Sequence, residues 1–267
     1  MADSVYYVYA VVPPGTVAAV APAGVDGARV ELIANDNVAA LVSRVDGAAY
    51  GVNVDDLVAD VAWLGPRATA HDAVLTWASD VGAVVPLPLL SLFRSGDAVR
   101  DMLAARRDHL ARLLDHVARG REYGVRIFRL DDELRAVLGE HSSAIAALES
   151  DVAAAPSPGQ GYLLARKLEA ARKDELRRVA AMIANTAYVD LVARSLEATQ
   201  DALPKATAEQ SGAAVLNASF LVAHERVDDF RAAVTAFMRD HDRRGFRVEF
   251  TGPWPPYHFT RSVADVR

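Results

Sequence analysis

The chain of 267 residues contains no cysteine, which removes disulfides, thiolate metal sites and a cysteine nucleophile from consideration. It also lacks any uninterrupted apolar run near the roughly 18 residues that a membrane-spanning helix requires. Positive charge is not in excess. The formal net charge is −6, and residues 1–118 hold 8 Lys and Arg against 14 Asp and Glu, whereas residues 119–267 hold 21 of each. Neither half therefore shows the basic surplus expected of a nucleic-acid binder. What remains is 52% hydrophobic and 24% charged, the balance of a folded globular chain long enough for one large or two ordinary domains.

Enzyme signatures are scarce. There is no phosphate-binding G-x-x-x-x-G-K-[ST] loop and no G-x-S-x-G nucleophile elbow. Gly159-x-Gly161 has Leu164 where a dinucleotide fingerprint needs its third glycine. His109 and His116 stand two helical turns apart, roughly 10 Å, too far to share one metal unaided. His71-Asp72 and Asp240-His241-Asp242 are possible acid–base groups, but pairs of this kind are common on helix surfaces. No catalytic, metal or cofactor residue is assigned.

The pattern of apolar residues predicts an α+β protein of two domains. The first, residues 1–118, reads as mixed α+β. Val5–Val12 is a run of strand formers preceded by Asp3, where a secretory leader would be basic, so it reads as an opening strand and the expected location is cytoplasmic. Strands at 28–34 and 38–45 flank Asn35-Asp36-Asn37, a hairpin signal. A helix is expected from about Val54, capped by Asn53 and broken or kinked at Gly65-Pro66, followed by a helical stretch carrying Ala70, Ala73, Val74 and Trp77. Ala83–Leu90 is apolar but holds Pro86 and Pro88, which points to an edge strand or an extended segment. Asp97–Ala118 is a strong amphipathic helix.

The second domain, residues 119–267, reads as modified ferredoxin-like with a long helical segment and an aromatic-proline tail. A joint at Gly120 and Gly124 leads to a strand over 125–130 and a charged helix to about Val152. A linker follows at 156–161, then a long helix from about Tyr162 to Thr199. Within that helix, Glu169 with Lys173 and Asp174 with Arg178 have the spacing of i,i+4 ion pairs, so the run of charges at 166–178 reads as a solvated face. Strands at 215–223 and 246–250 bracket a helix carrying Val227, Phe230, Val234 and Phe237. One strand of the usual four is missing from this reading.

The segment after the last strand, Thr251-Gly252-Pro253-Trp254-Pro255-Pro256-Tyr257-His258-Phe259, cannot be helical, because three prolines fix φ and remove three donors. It is expected to run extended and project its rings, either as a lid on the core or as a surface for a partner. Residues Gly252–Phe259 match the Gly-Pro-Trp-Pro-Pro-Tyr-x-Phe ending of the GvpL/GvpF family of gas vesicle accessory proteins, which the chain resembles. Weaker motifs follow the family order: Tyr7-Val8-Tyr9, Ala70–Leu75 running into Val84–Leu87, Tyr123-Gly124-Val125, and Phe220-Leu221-Val222. The chain departs from the family at Pro88-Leu89-Leu90-Ser91, where members often carry an Arg-Phe-Gly-Thr type of sequence.

The resemblance implies a non-enzymatic accessory protein for gas vesicle assembly, built from an N-terminal α+β and a C-terminal ferredoxin-like domain. It also implies the major gas vesicle shell protein and other accessory proteins as partners, with gas vesicle association and no cofactor, nucleic acid or membrane. A ferredoxin-like RNA-binding module is the alternative reading, favoured by the basic helix and opposed by the acidic total. Leu89, Leu90, Phe93, Trp254, Tyr257 and Phe259 are the candidate protein-binding residues, because they offer apolar side chains on segments whose prolines discourage edge-to-edge pairing of the chain with itself.

Overall fold

The computed structural model describes residues 4–50, 59–204 and 212–261. Two compact units emerge, one of Met1–Glu122 with Pro253–Arg267 and the other of Tyr123–Gly252. The break at Glu122 lies close to the expected boundary. The aromatic-proline tail, expected in the second domain, groups instead with the first.

The sheet of the N-terminal unit is built around β1 (Ser4–Val12). Strand β3 (Val38–Asp46) pairs antiparallel along its length, and β2 (Val30–Asn35) pairs with β3. Asn35 opposes Val38 across the hairpin, leaving Asp36 at φ +52° in the turn. On the other side of β1 lie two short strands, β4 (Val85–Pro86) and β5 (Leu92–Phe93), in agreement with the edge position that the prolines impose.

Two helices cover the two faces. Helix α1 (Val61–Val81) packs Val74, Leu75 and Ala78 with Tyr7, Tyr9 and Leu41, and α2 (Gly96–Val117) packs Val99, Leu103, Leu110 and Leu114 with Val8, Val11 and Val42. The period of two along β1 sends Tyr7 to the α1 face and Tyr6 and Val8 to the α2 face. An irregularity between Val8 and Ala10 then places Tyr9 and Ala10 on the same face. Gly24 allows this packing, since a Cβ there would lie 2.1 Å from the Tyr9 hydroxyl.

Helix α1 differs from expectation in two respects. Gly65-Pro66 does not break it: the helix runs through Pro66 close to its N-terminal end, with the Ala62 carbonyl left without its helical donor. Its buried face is His71, Val74, Leu75 and Ala78, while Ala73 is exposed. The Asp60 carboxylate caps it through Ala62 and Trp63, and the expected cap at Asn53 lies outside the described residues.

In the second unit, strands β6 (Gly120–Arg129), β7 (Glu197–Gln200), β8 (Ala213–Ala223) and β9 (Phe246–Trp254) form a sheet in the order β7-β8-β6-β9. Between β6 and β7 come α3 (Asp131–Ala136), α4 (Leu138–His141), α5 (Ser143–Ala153) and α6 (Pro158–Val192), and between β8 and β9 comes α7 (Val227–Asp240). This connectivity and strand order are ferredoxin-like. The core joins Leu176, Val179, Ile183 and Leu191 of α6 to Phe220, Phe230 and Val234.

Several local readings are corrected. Gly120 and Gly124 lie inside β6 rather than at a joint. The proposed linker at 156–161 starts α6, with the Ser157 hydroxyl accepting from Gln160 N–H at 3.3 Å and Pro158 in the first helical position. Helix α6 stops at Val192 rather than Thr199, which releases Glu197–Gln200 to supply the missing fourth strand. The charged helix after Asp131 is three short helices. Gly245, at φ +86°, closes the turn into β9, where a Cβ would lie 2.4 Å from Leu134.

Candidate interaction surface

The proline-leucine segment continues the edge of β1 on both sides of a bulge. Leu87 N–H donates to the Tyr9 carbonyl at 2.9 Å, and Val8 N–H donates to the Ser91 carbonyl at 2.8 Å. Between them Leu90 adopts φ +65°, a left-handed conformation that costs a branched side chain roughly 1–2 kcal/mol. Its N–H donates to the Tyr7 hydroxyl at 3.2 Å, and that hydroxyl lies 2.9 Å from His71 Nδ1.

His71 is thus a core histidine. Its Nε2 is buried without a hydrogen-bond partner, and burial lowers its pKa to about 4, against a smaller opposing effect of the Leu87 backbone. Burial likewise raises the Tyr7 pKa. Replacing Tyr7 with Phe is expected to cost about 1–3 kcal/mol, because Leu90 N–H and His71 Nδ1 lose their partner. A chemical-denaturation midpoint equal to that of the unchanged chain would contradict this linkage.

The segment runs extended through Thr251–Trp254 as the end of β9, as expected, and then closes into a compact turn rather than continuing as an arm. Tyr257 N–H donates to the Pro255 carbonyl at 2.7 Å, and the Thr260 hydroxyl donates to the Pro256 carbonyl at 2.8 Å. Two bonds tie it to Glu122, a buried carboxylate: His258 N–H donates to Oε2 at 3.0 Å, and His258 Nδ1 lies 2.5 Å from Oε1. This pairing is the physical reason that the tail belongs to the first unit. Tyr257 is pushed up to about 12, first by burial of its hydroxyl and then by Asp72 and Glu122.

The six candidate residues separate. Trp254 and Tyr257 remain 46% and 40% exposed, while Phe259 is 8% exposed and belongs to the packed interior. Leu89 and Leu90 are half-buried against the Tyr7 face of the sheet, and Phe93 is half-buried against the opposite, α2-covered face. Tyr257 lies near enough to Tyr7 to add slightly to the upward shift of its pKa, and Leu90 is bonded to that same residue. The structure therefore brings Leu89, Leu90 and Tyr257 to one region and leaves Phe93 out of it. Sequence reading missed Glu122, His258, Tyr7 and His71 as the groups that hold this region. The charged residue near the start of a strand was the one available signal.

In the second unit a cavity of about 340 Å³ lies against α6 and α7, lined by Val125, Ile127, Ala187, Ala233 and Phe237. His241 at its rim stacks on Phe237, and its Nδ1 lies 2.9 Å from the Phe237 carbonyl. Among the described residues no three His, Asp or Glu side chains are placed to hold a metal, and no helix is long and apolar enough to cross a membrane.

Two α+β units, the second ferredoxin-like, with a pinned aromatic-proline turn, define the structural class. The model of the family described as gas vesicle synthesis protein GvpL/GvpF matches residues 5–261, and the chain belongs to that family of gas vesicle accessory proteins. It is 29% identical to gas vesicle protein L of Streptomyces sp. (strain CB03234), over 96% of this chain and 93% of that one. To gas vesicle protein F of the same strain it is 30% identical, over 71% and 75% of the two chains. The crystal structure of the gas vesicle protein GvpF from Anabaena sp. PCC7120 shares the fold, with a TM-score of 0.67 at 21% identity and 96% of each chain covered.

Proposed function

We propose that this protein is a non-enzymatic, cytoplasmic assembly factor that binds the small hydrophobic major shell protein of gas vesicles, together with other accessory proteins, before the shell polymerises. The observation that carries this reading is the exposure of Trp254, the last residue of β9, and of Tyr257 on the turn that follows and is held to Glu122. Large rings kept accessible by a buried carboxylate clamp are what an apolar partner surface needs. Leu89 and Leu90, half-buried near Tyr7, extend the apolar area.

The test is co-purification of the shell protein with tagged protein carrying Trp254→Ala and Tyr257→Ala. Binding is expected to fall at least tenfold, while stability changes by less than about 1 kcal/mol, as for exposed positions. Undiminished capture would refute this surface as the docking site. Deletion of the gene from a vesicle-forming host is expected to abolish or deform the vesicles, and normally floating cells would count against the reading.

A further inference from the structure

The charged run of α6 does not form the ion pairs that its spacing predicts. Glu169 turns to Arg135 at 3.0 Å and Arg172 at 3.6 Å, and Arg178 pairs with Glu175 at 2.6 Å. Asp174 reaches only Arg177, at 4.0 Å. Among the described residues no carboxylate pairs with Arg166, Lys167 or Lys173, and all three are exposed.

These cations share one side of the helix. Tyr162, Arg166, Lys173 and Arg177 recur at intervals of four, seven and four, which keeps them in line, with Leu163 and Lys167 alongside. The core face, Leu168, Leu176 and Val179, lies about a third of a turn around the helix from this line. At the start of the strip two adjacent large apolar side chains stand in solvent, Tyr162 at 63% and Leu163 at 67% exposure. The strip from Tyr162 to Arg177 is about 22 Å long at the helical rise.

We propose that this face of α6 is a docking surface for an acidic segment of a partner protein, whose carboxylates pair with Arg166, Lys167, Lys173 and Arg177 and whose apolar side chain covers Tyr162 and Leu163. Charge complementarity selects the partner, since the strip sets four cations against Glu169, which is drawn to Arg135 and Arg172, and Asp174, which only Arg177 approaches. The adjoining apolar pair favours a protein over a nucleic acid. Leu163 offers no ring on which a base can stack, and the net charge of −6 opposes a polyanion away from the strip. This surface is separate from the tail region, so it stands or falls independently of the function proposed above.

The test uses the full chain and three fluorescent probes: a glutamate-rich peptide of about 15 residues, the helical length of the strip, with leucines at one end; a poly-glutamate peptide of the same length; and a single-stranded RNA of similar length. The leucine-bearing peptide is expected to bind with strong salt dependence. Arg166→Glu with Lys167→Glu and Lys173→Glu should weaken it at least tenfold, and the corresponding Gln variants should weaken it less. Tyr162→Ala with Leu163→Ala should weaken the leucine-bearing peptide and leave poly-glutamate unchanged. Reversing Arg94, Arg112 and Arg119 to Glu in the other unit should alter nothing. Absence of saturable peptide binding, equal loss in the control reversal, or tighter binding of RNA than of peptide would each overturn the proposal.

Discussion

Removal of residues 253–267 is expected to destabilise the N-terminal unit by about 4.5–9 kcal/mol, a large share of the 5–15 kcal/mol typical of a whole domain. Two losses add. Phe259 leaves its packed site, at roughly 1.5–3 kcal/mol for a large apolar side chain. Glu122 then keeps a buried carboxylate without either of its His258 bonds, and each bond to a charged group contributes about 1.5–3 kcal/mol. Thermal unfolding followed through Trp63 and Trp77, which belong to this unit, should shift down by about 10 °C or more. Adding Glu122→Gln to the truncated chain should recover part of the loss, because a neutral amide is easier to leave unpaired than a charge. Melting of the truncated chain at the same temperature as the intact one would show that the turn is a passive appendage.

The second large effect is a loss of stability in mild acid caused by His71. Its pKa is about 4 in the folded protein against 6.5 when free. Above pH 6.5 the imidazole is neutral in both states, and its contribution to stability is complete. As pH falls from 6.5 towards 4, only the unfolded chain takes up the proton. Unfolding then gains about 1.4 kcal/mol per pH unit, near 3 kcal/mol in all. Trp63 and Trp77 lie in the first unit and Trp254 ends strand β9, so fluorescence in urea of a Trp254→Phe background reports the first unit alone. His71→Gln should remove most of the decline between pH 7.5 and 4.5. Parallel declines in the two proteins would mean that other groups set the acid limit.

Much of the architecture was legible because its signals are periodic. The two-residue alternation of β1, the hairpin at Asn35–Asn37 and the apolar stripe of α2 each repeat over several turns or pleats. Strand β7 was not legible. Its Glu-Ala-Thr-Gln is short and lies at the sheet edge, where one partner strand and little burial decide its conformation. The Pro-Ser-Pro-Gly stretch misled because the same residue types serve linkers and helix starts, and only the Ser157 cap separates them. The family was readable from Gly252–Phe259. The attachment of that segment was not, since His258 and Glu122 are 136 residues apart and neither carries a local pattern. The ion pairs of α6 failed for a related reason: spacing permits Glu169 to meet Lys173, but Arg135, brought in by the fold, competes for it.

The discontinuity of the first unit has a consequence during synthesis. Glu122 leaves the ribosome well before His258, with all of Tyr123–Gly252 translated in between. At about 5–20 residues per second that interval is roughly 7–26 s, and strand β9 (Phe246–Trp254), which completes the ferredoxin-like sheet, emerges only at its end. For that period the earlier unit carries an acidic side chain with no imidazole to receive it. Its completion therefore waits on translation rather than on its own folding rate, and both units are finished only when strand β9 and the turn after it have been made.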